Sequence, residues 1–478
     1  MFIIFGALIV PLLLLVYLAW RWPERAVCLV VALMPTYLLR TSLFDIPTNT
    51  FELAVIVVFA ISALRPDTRS RWSLAARQLP WPAWLLVGLF VLSAIISTTI
   101  SNVPYVSLGI LKSWILIPIL LSWLVWVFCQ RSSDPQLDPA SLLSPVVSAL
   151  IASGTVVAVA SFFFFKPDQR LAGIYDVPNS LALFLAPIIV LALAGAVTNS
   201  NKYRLLLAGM VMFVALILTQ SVAGLASVLL VLSGAGLISW RRQFQYAAPQ
   251  FGAVADPPAV TLKYTKSRLL ILSAILCLTV LSFGYLFQVG RLQYFLRPIT
   301  DPSARTSLSV RLQLWDISWE LIKQHSLLGV GLGQFEPYYQ QALHDRFKHF
   351  EICTSPNLLT VKDCQFIIDQ PPIAEWVFRD PHSWPLSFWL NMGILGLFSF
   401  TGLNIYVFWL ILKRPDKKSP SSLVTHYSLL TILIFGLVDT IYWKNDLAAL
   451  YWVLLSILLI ESKFNFTDRA QPESAVDC

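Results

Sequence analysis

The chain has 478 residues, 57% of them hydrophobic and 13% charged, with a formal net charge of +8. A soluble domain carries charge at roughly 25% of its positions, so this composition excludes an ordinary cytosolic enzyme, a secreted disulfide scaffold and a disordered chain. It predicts an all-α polytopic membrane protein.

A helix needs about 20 mostly apolar residues to cross the hydrocarbon core. Runs of this kind lie near 1–20, 26–40, 51–64, 81–99, 107–129, 141–165, 179–198, 204–219, 221–240, 269–287, 382–412, 424–440 and 446–461. They predict about 12–13 transmembrane helices, with one of the first three a candidate re-entrant segment. The run Met1 to Trp20 has no basic residue ahead of it and no small-residue cleavage site, so it does not read as a signal peptide.

Basic residues in short loops stay on the cytoplasmic side. Alternate loops, from Arg21 and Arg25 through Arg65, Lys202 and Lys413 to Arg469, hold 20 of the 34 basic residues with ten acidic ones, a balance of +10. The segment 288–381 holds nine basic and ten acidic residues and is placed outside, in the periplasm of a bacterial cell. The basic pI is thus a topology signal, and a nucleic-acid partner is not expected. The predicted organisation is N-terminal helices over 1–165, central helices over 166–287, a large periplasmic loop over 288–381, C-terminal helices over 382–461 and a cytoplasmic tail over 462–478.

Within the loop, Leu312, Trp315, Trp319 and Ile322 recur at helical spacing, predicting an apolar stripe with Arg311, Asp316 and Glu320 elsewhere around the helix. An interfacial helix with a solvated polar face accounts for this pattern; so does a phosphate site in which Trp315 flanks the Arg311 guanidinium. Gly329, Gly331 and Gly333 follow a helix rather than a strand, which argues against a dinucleotide loop and for a tight turn or helix stop. Cys353 and Cys364 suit either a disulfide in an oxidising compartment or two separate thiols, and their spacing matches no metal site.

The loop ends in Arg379-Asp380-Pro381-His382-Ser383. Asp380 suits an N-cap and Pro381 the first helical position, which places His382 in the first turn of a helix, where the dipole favours neutral imidazole. A neutral His can act as general base; an interfacial His bonded to headgroups or loop backbone is the simpler alternative. Arg170 lies just beyond the span ending near Phe165, where a base that snorkels to headgroups is equally expected. Lys112 and Asp439 lie within or at the end of spans, which makes them functional suspects whose partners the sequence does not name.

Taken together these segments resemble the O-antigen ligase and polymerase family of bacterial membrane glycosyltransferases. The resemblance rests on His382-Ser383 followed by nine residues and Gly393-Ile394-Leu395-Gly396, on Ser309-Val310-Arg311-Leu312 with Trp315 and His325-Ser326-Leu327-Leu328-Gly329-Val330-Gly331, and on Arg170 to Asn179. It spans roughly 165–415. Where the family carries an Arg after Thr-x-Ser, this chain has Val222 in Thr219-Gln220-Ser221-Val222. That charge is then supplied by Arg170 or by a loop Arg (Arg291, Arg297 or Arg305), or one phosphate ligand is missing.

The resemblance implies transfer of a glycan from undecaprenyl diphosphate to an acceptor hydroxyl, such as that of lipid A-core, at the periplasmic face of the inner membrane. It gives His382 the role of base and Arg311 and Arg170 that of diphosphate ligands, with Trp315 and Ser383 in support. Asp45 and Glu52 are too far apart for a metal-binding acidic pair, so no metal or other cofactor is expected. An O-antigen polymerase and a protein O-oligosaccharyltransferase share donor and fold. A transporter of lipid-linked sugars is disfavoured because no internal repeat is visible.

Overall fold

The computed structural model describes residues 2–43, 46–129, 139–196, 202–247, 277–301, 306–351, 378–413 and 420–467. The Cys353–Cys364 pair, Arg305 and most of the linker after Ala247 lie outside them. The described chain is helical apart from one hairpin, in which β1 (Arg40–Leu43) pairs antiparallel with β2 (Ile46–Asn49).

In chain order the helices begin with α1 (Phe2–Arg21), α2 (Pro23–Ala32), α3 (Thr50–Leu64), α4 (Pro66–Gln78), α5 (Trp81–Thr99) and α6 (Pro104–Phe128), which contains a π turn at Leu111–Leu116. Then come α7 (Pro139–Phe162), α8 (Pro178–Ala196), α9 (Lys202–Leu218), α10 (Val222–Ala247), α11 (Cys277–Gln288) and α12 (Arg291–Thr300). The last are α13 (Ser307–Gln324), α14 (Phe335–Glu351), α15 (Trp384–Leu412), α16 (Pro420–Phe435) and α17 (Asn445–Thr467). Among the described residues six helices are long and apolar enough to cross a membrane: α5, α6, α8 and parts of α7, α15 and α17; α1, α3, α10, α11 and α16 contribute shorter apolar stretches. The chain is a multi-pass membrane protein.

The predicted run 26–40 is not one spanning helix. Pro35 disfavours helix in the residue before it, and α2 stops after 10 residues, giving way to a 3-10 turn and then β1. At 1.5 Å per residue α2 is about 15 Å long, half the hydrocarbon thickness.

The chain forms two compact units. One comprises Met1–Ala149, Pro298–Lys418 and Gly436–Cys478, and in it α5 packs on α15, α17 on α6, and α13 on α15. The other comprises Leu150–Arg297 and Ser419–Phe435, with α9 and α16 packed on α8 and α10 packed on both α8 and α16. The first unit has an aromatic core in which Phe90, Phe388, Phe400, Tyr442, Tyr451 and Trp452 are buried against one another.

Two glycine-bearing segments of the first unit interlock. Helix α15 breaks at Gly393 (φ 68°, ψ −173°), and the segment after α13 runs alongside the break. There the Val330 amide donates to the Leu390 carbonyl at 2.8 Å and the Ile394 amide to the Leu327 carbonyl at 3.1 Å. A Cβ on Gly329 would overlap the Leu390 carbonyl oxygen, and one on Gly393 the Leu327 carbonyl oxygen. Both glycines also have positive φ, which other residues adopt at a cost. The Gly-Val-Gly-Leu-Gly run is therefore a turn, and its function is close backbone packing.

Helix α13 starts with a capping box between Thr306 and Ser309. Its buried residues are Arg311, Leu314, Ile317, Ser318, Leu321 and Ile322, while Leu312 and Trp319 are exposed. This differs from the predicted stripe because hydropathy misplaces Arg311: its charge is matched inside the protein, so the helix rotates it inward. The exposed Trp319 packs edge-on to Trp389 of α15, at a ring separation of 5.9 Å, an aromatic pairing suited to a membrane interface.

Candidate active site

Three elements of the first unit meet at the start of α15: α13, the Phe378–Ser383 turn and the segment between α16 and α17. The turn departs from the predicted helix start. Helix α15 begins at Trp384, so His382 precedes it, in a left-handed conformation (φ 52°), and Pro385 is the proline in the first helical turn. Asp380 nevertheless holds the turn as a cap does. Its carboxylate accepts from the His382 amide at 2.9 Å, from Thr440 Oγ1 at 3.0 Å and from Ser387 Oγ. Trp443 Nε1 in turn donates to Ser387 Oγ.

Asp439 joins the two residues singled out for catalysis. Its Oδ1 lies 2.9 Å from His382 Nδ1 and its Oδ2 3.1 Å from an Arg311 terminal nitrogen. The other Arg311 nitrogens donate to main-chain oxygens, Nε to Val438 at 2.6 Å and Nη1 to Ser307 at 3.0 Å. These bonds use three of the five guanidinium N–H groups. The Asp439 side chain is 2% exposed, that of Arg311 11% and that of His382 26%.

A carboxylate facing Nδ1 selects the tautomer that carries its proton there, which leaves the Nε2 lone pair as acceptor. This is how a base is oriented: one ring nitrogen is fixed by an acid and the other left for chemistry. Burial alone would raise the Asp439 carboxyl, but the hydrogen bond from His382 and the charge of the Arg311 guanidinium outweigh it and hold it well below the ordinary carboxylate range. Burial pushes Asp380 the other way, above its ordinary value, despite the bonds from Ser387, Thr440 and the His382 amide. Asp439 is thus the fixed negative charge of the cluster.

Of the other predicted residues, Trp315 packs in the apolar cluster of α13 and α14, and no cation–π pair among the described residues includes Arg311. Ser383 is buried, and its carbonyl accepts the first-turn bond from the Ser387 amide at 2.9 Å. Arg170 belongs to the second unit. Its Nε donates to the Thr219 carbonyl at 2.8 Å and Nη2 to Asn179 Oδ1 at 2.8 Å, which ties it to the turn before Val222. Lys112 has a partner that its sequence position does not reveal, Glu52, at 2.8 Å. Among the described residues no three of His, Cys, Asp and Glu gather as a metal cluster.

The fold defines a multi-pass membrane protein, and it carries an Arg311–Asp439–His382 cluster at the start of α15. Residues 207–352 match the O-antigen ligase family, a likeness over about a third of the chain that supports the resemblance to the O-antigen ligase and polymerase family of membrane glycosyltransferase-like enzymes. The matched region includes the Thr219–Val222 turn and Arg311; His382 and Arg170 lie outside it. A comparison with curated proteins found no match.

Proposed function

We propose that this protein is an O-antigen ligase-type glycosyltransferase of the bacterial inner membrane. It moves a glycan from undecaprenyl diphosphate to a hydroxyl of lipid A-core at the periplasmic face. The observation that carries this reading is the single carboxylate of Asp439 shared between His382 and Arg311.

His382 Nε2 takes the proton of the acceptor hydroxyl as its oxygen attacks the anomeric carbon of the glycan. The bond from that carbon to the diphosphate oxygen breaks, and the electron pair leaves with undecaprenyl diphosphate. Two guanidinium N–H groups of Arg311 not used in its internal bonds face the developing charge. Within the second unit, Arg170 is tied to the Thr219 carbonyl beside Val222, which supports it as the replacement for the cation that the family carries after Thr-x-Ser. The base and one phosphate ligand are thereby set in register by the protein, with no step that calls for a metal.

A polymerase or a protein O-oligosaccharyltransferase would use the same acid–base set with a different acceptor. The test is a transfer reaction with purified protein, a polymerised glycan on undecaprenyl diphosphate and lipid A-core, run with and without EDTA. Glycan on lipid A-core, insensitive to EDTA and lost in His382→Ala, is the expected result. Longer lipid-linked chains without transfer would make the protein a polymerase, and transfer that survives His382→Ala would remove the base.

A further inference from the structure

A second buried carboxylate in the same unit lies outside the chemistry described above. Glu52, in the first turn of α3, is 1% exposed and accepts three side-chain bonds: from Lys112 Nζ at 2.8 Å, Asn445 Nδ2 at 2.9 Å and Thr48 Oγ1 at 3.0 Å. Asn49 fixes its backbone, Oδ1 accepting from the Glu52 amide at 2.9 Å. The π turn of α6 supplies two members of the network, Lys112 and Trp114. Lys112 also donates to the Pro47 carbonyl at 2.6 Å, and Trp114 Nε1 to Asn445 Oδ1 at 3.1 Å. A π turn inserts one residue into a helix and recurs at functional positions.

Asn445 is the first residue of α17, and the segment before it carries Val438, Asp439 and Thr440. That segment is pinned at its start, where the Trp384 amide donates to the Gly436 carbonyl at 2.8 Å. Its end is pinned through Asn445, and the Trp443 ring lies 6.2 Å from Trp114. We infer that Glu52, through Asn445, is a positioning residue that holds the Asp439 segment in the register where one carboxylate reaches both His382 and Arg311. Lys112 supplies the countercharge that lets Glu52 stay buried. The inference rests on the proposed acid–base reading, since it assigns Glu52 a role through Asp439 and no contact with substrate.

The consequence is kinetic. A displacement of catalytic geometry by about 1 Å can cost roughly 100-fold in rate, whereas substrate affinity depends on groups that stay in place. Three variants isolate the bond: Asn445→Ala, Glu52→Ala with Lys112→Met, and Glu52→Gln with Lys112→Met. The third keeps an acceptor for Asn445 and removes the lone lysine charge.

The first two should lower kcat by about 10-fold or more and leave the KM for the lipid-linked glycan within about 2-fold; the third should stay close to the parent. Carbethoxylation of His382 with diethyl pyrocarbonate, followed by mass spectrometry, reads the same displacement without turnover. In the first two variants the His382 rate should differ from the parent's by several-fold, because Nε2 loses the tautomer and the basicity that the Asp439 carboxylate on Nδ1 imposes.

A folded Asn445→Ala with parental kcat and His382 reactivity would overturn the inference, and so would equal impairment of the two Glu52 double variants. If Asn445→Ala does not fold, the double variants decide. If the parent transfers no glycan, the acid–base reading fails while the carbethoxylation rates still decide whether the network positions Asp439.

Discussion

Asp439 and Glu52 are two buried carboxylates of one unit, each shared between a cation and a third side chain. Asp439 divides its oxygens between Arg311 and His382; Glu52 divides its own between Lys112 and Asn445, with a further bond from Thr48. The electrostatics are alike, since burying either charge is tolerable only when it is paired and hydrogen-bonded. The difference lies in the third member. Histidine has a second ring nitrogen able to exchange a proton and its side chain is partly exposed here, whereas asparagine is not a base and is buried at a helix start. On the proposed reading, the same ion-pair device serves chemistry in one place and architecture in the other.

That contrast breaks most sharply at its third members. His382→Ala should lower transfer by about 100- to 10,000-fold, the range of general acid–base catalysis, in protein that still folds and inserts. Near-parental transfer would make the two carboxylates equivalent anchors. Asp439→Asn keeps the shape but removes the charge that sets the histidine tautomer, and should cost roughly 100-fold or more in kcat. It should also lower the melting temperature, because Arg311 is then buried without its counterion.

Arg311→Lys comes next. An ammonium cannot reach Val438, Ser307 and Asp439 in the pattern of the guanidinium fork, so activity should fall about 10-fold or more although the charge is kept. Parental activity with lysine would reduce Arg311 to a simple counterion, as Lys112 is for Glu52. Thermal scans against pH then test the electrostatics by sign. Asp439 is held low in the folded state, so its contribution to stability is present above the unfolded value near 3.9 and lost as the pH falls below it. The parent should therefore lose more stability than Asp439→Asn below about pH 4. Asp380 is held high, so its contribution is present in acid and lost as the pH rises through the folded value. Asp380→Asn should accordingly gain on the parent as the pH rises from about 4 toward 7.

The membrane class and nearly every helical run were legible in the sequence, because length and apolarity are set by the bilayer itself. The short α2 was harder to foresee: Pro35 was visible, but its effect depended on the hairpin that follows. Arg311 and His382 were legible as a pattern of residues, yet their nearest partner was not. Asp439 lies 57 positions after His382 and 128 after Arg311, and only the packing of α13 and the post-α16 segment brings the three together. The same holds for Lys112 and Glu52, whose sequence neighbours are apolar or uncharged. Local periodicity failed on α13 for a related reason. It assigns every charge to the outer face, and no local rule knows that a carboxylate waits on the inner one.

Trp315 sharpens the last part of that comparison. Its place four residues after Arg311 suggested a ring flanking the guanidinium, but it packs against the apolar cluster of α13 and α14, and its Nε1 is buried without a hydrogen-bond partner among the described residues. If packing is its role, Trp315→Phe keeps most of the apolar contact and removes an unsatisfied donor, whose burial costs on the order of 1–3 kcal/mol. Activity should stay within about 2-fold of the parent and the melting temperature should hold or rise, with the lost ring volume setting the balance. A large loss of kcat in this variant would instead place the indole at the phosphate end of the site, where its N–H would be reserved for substrate.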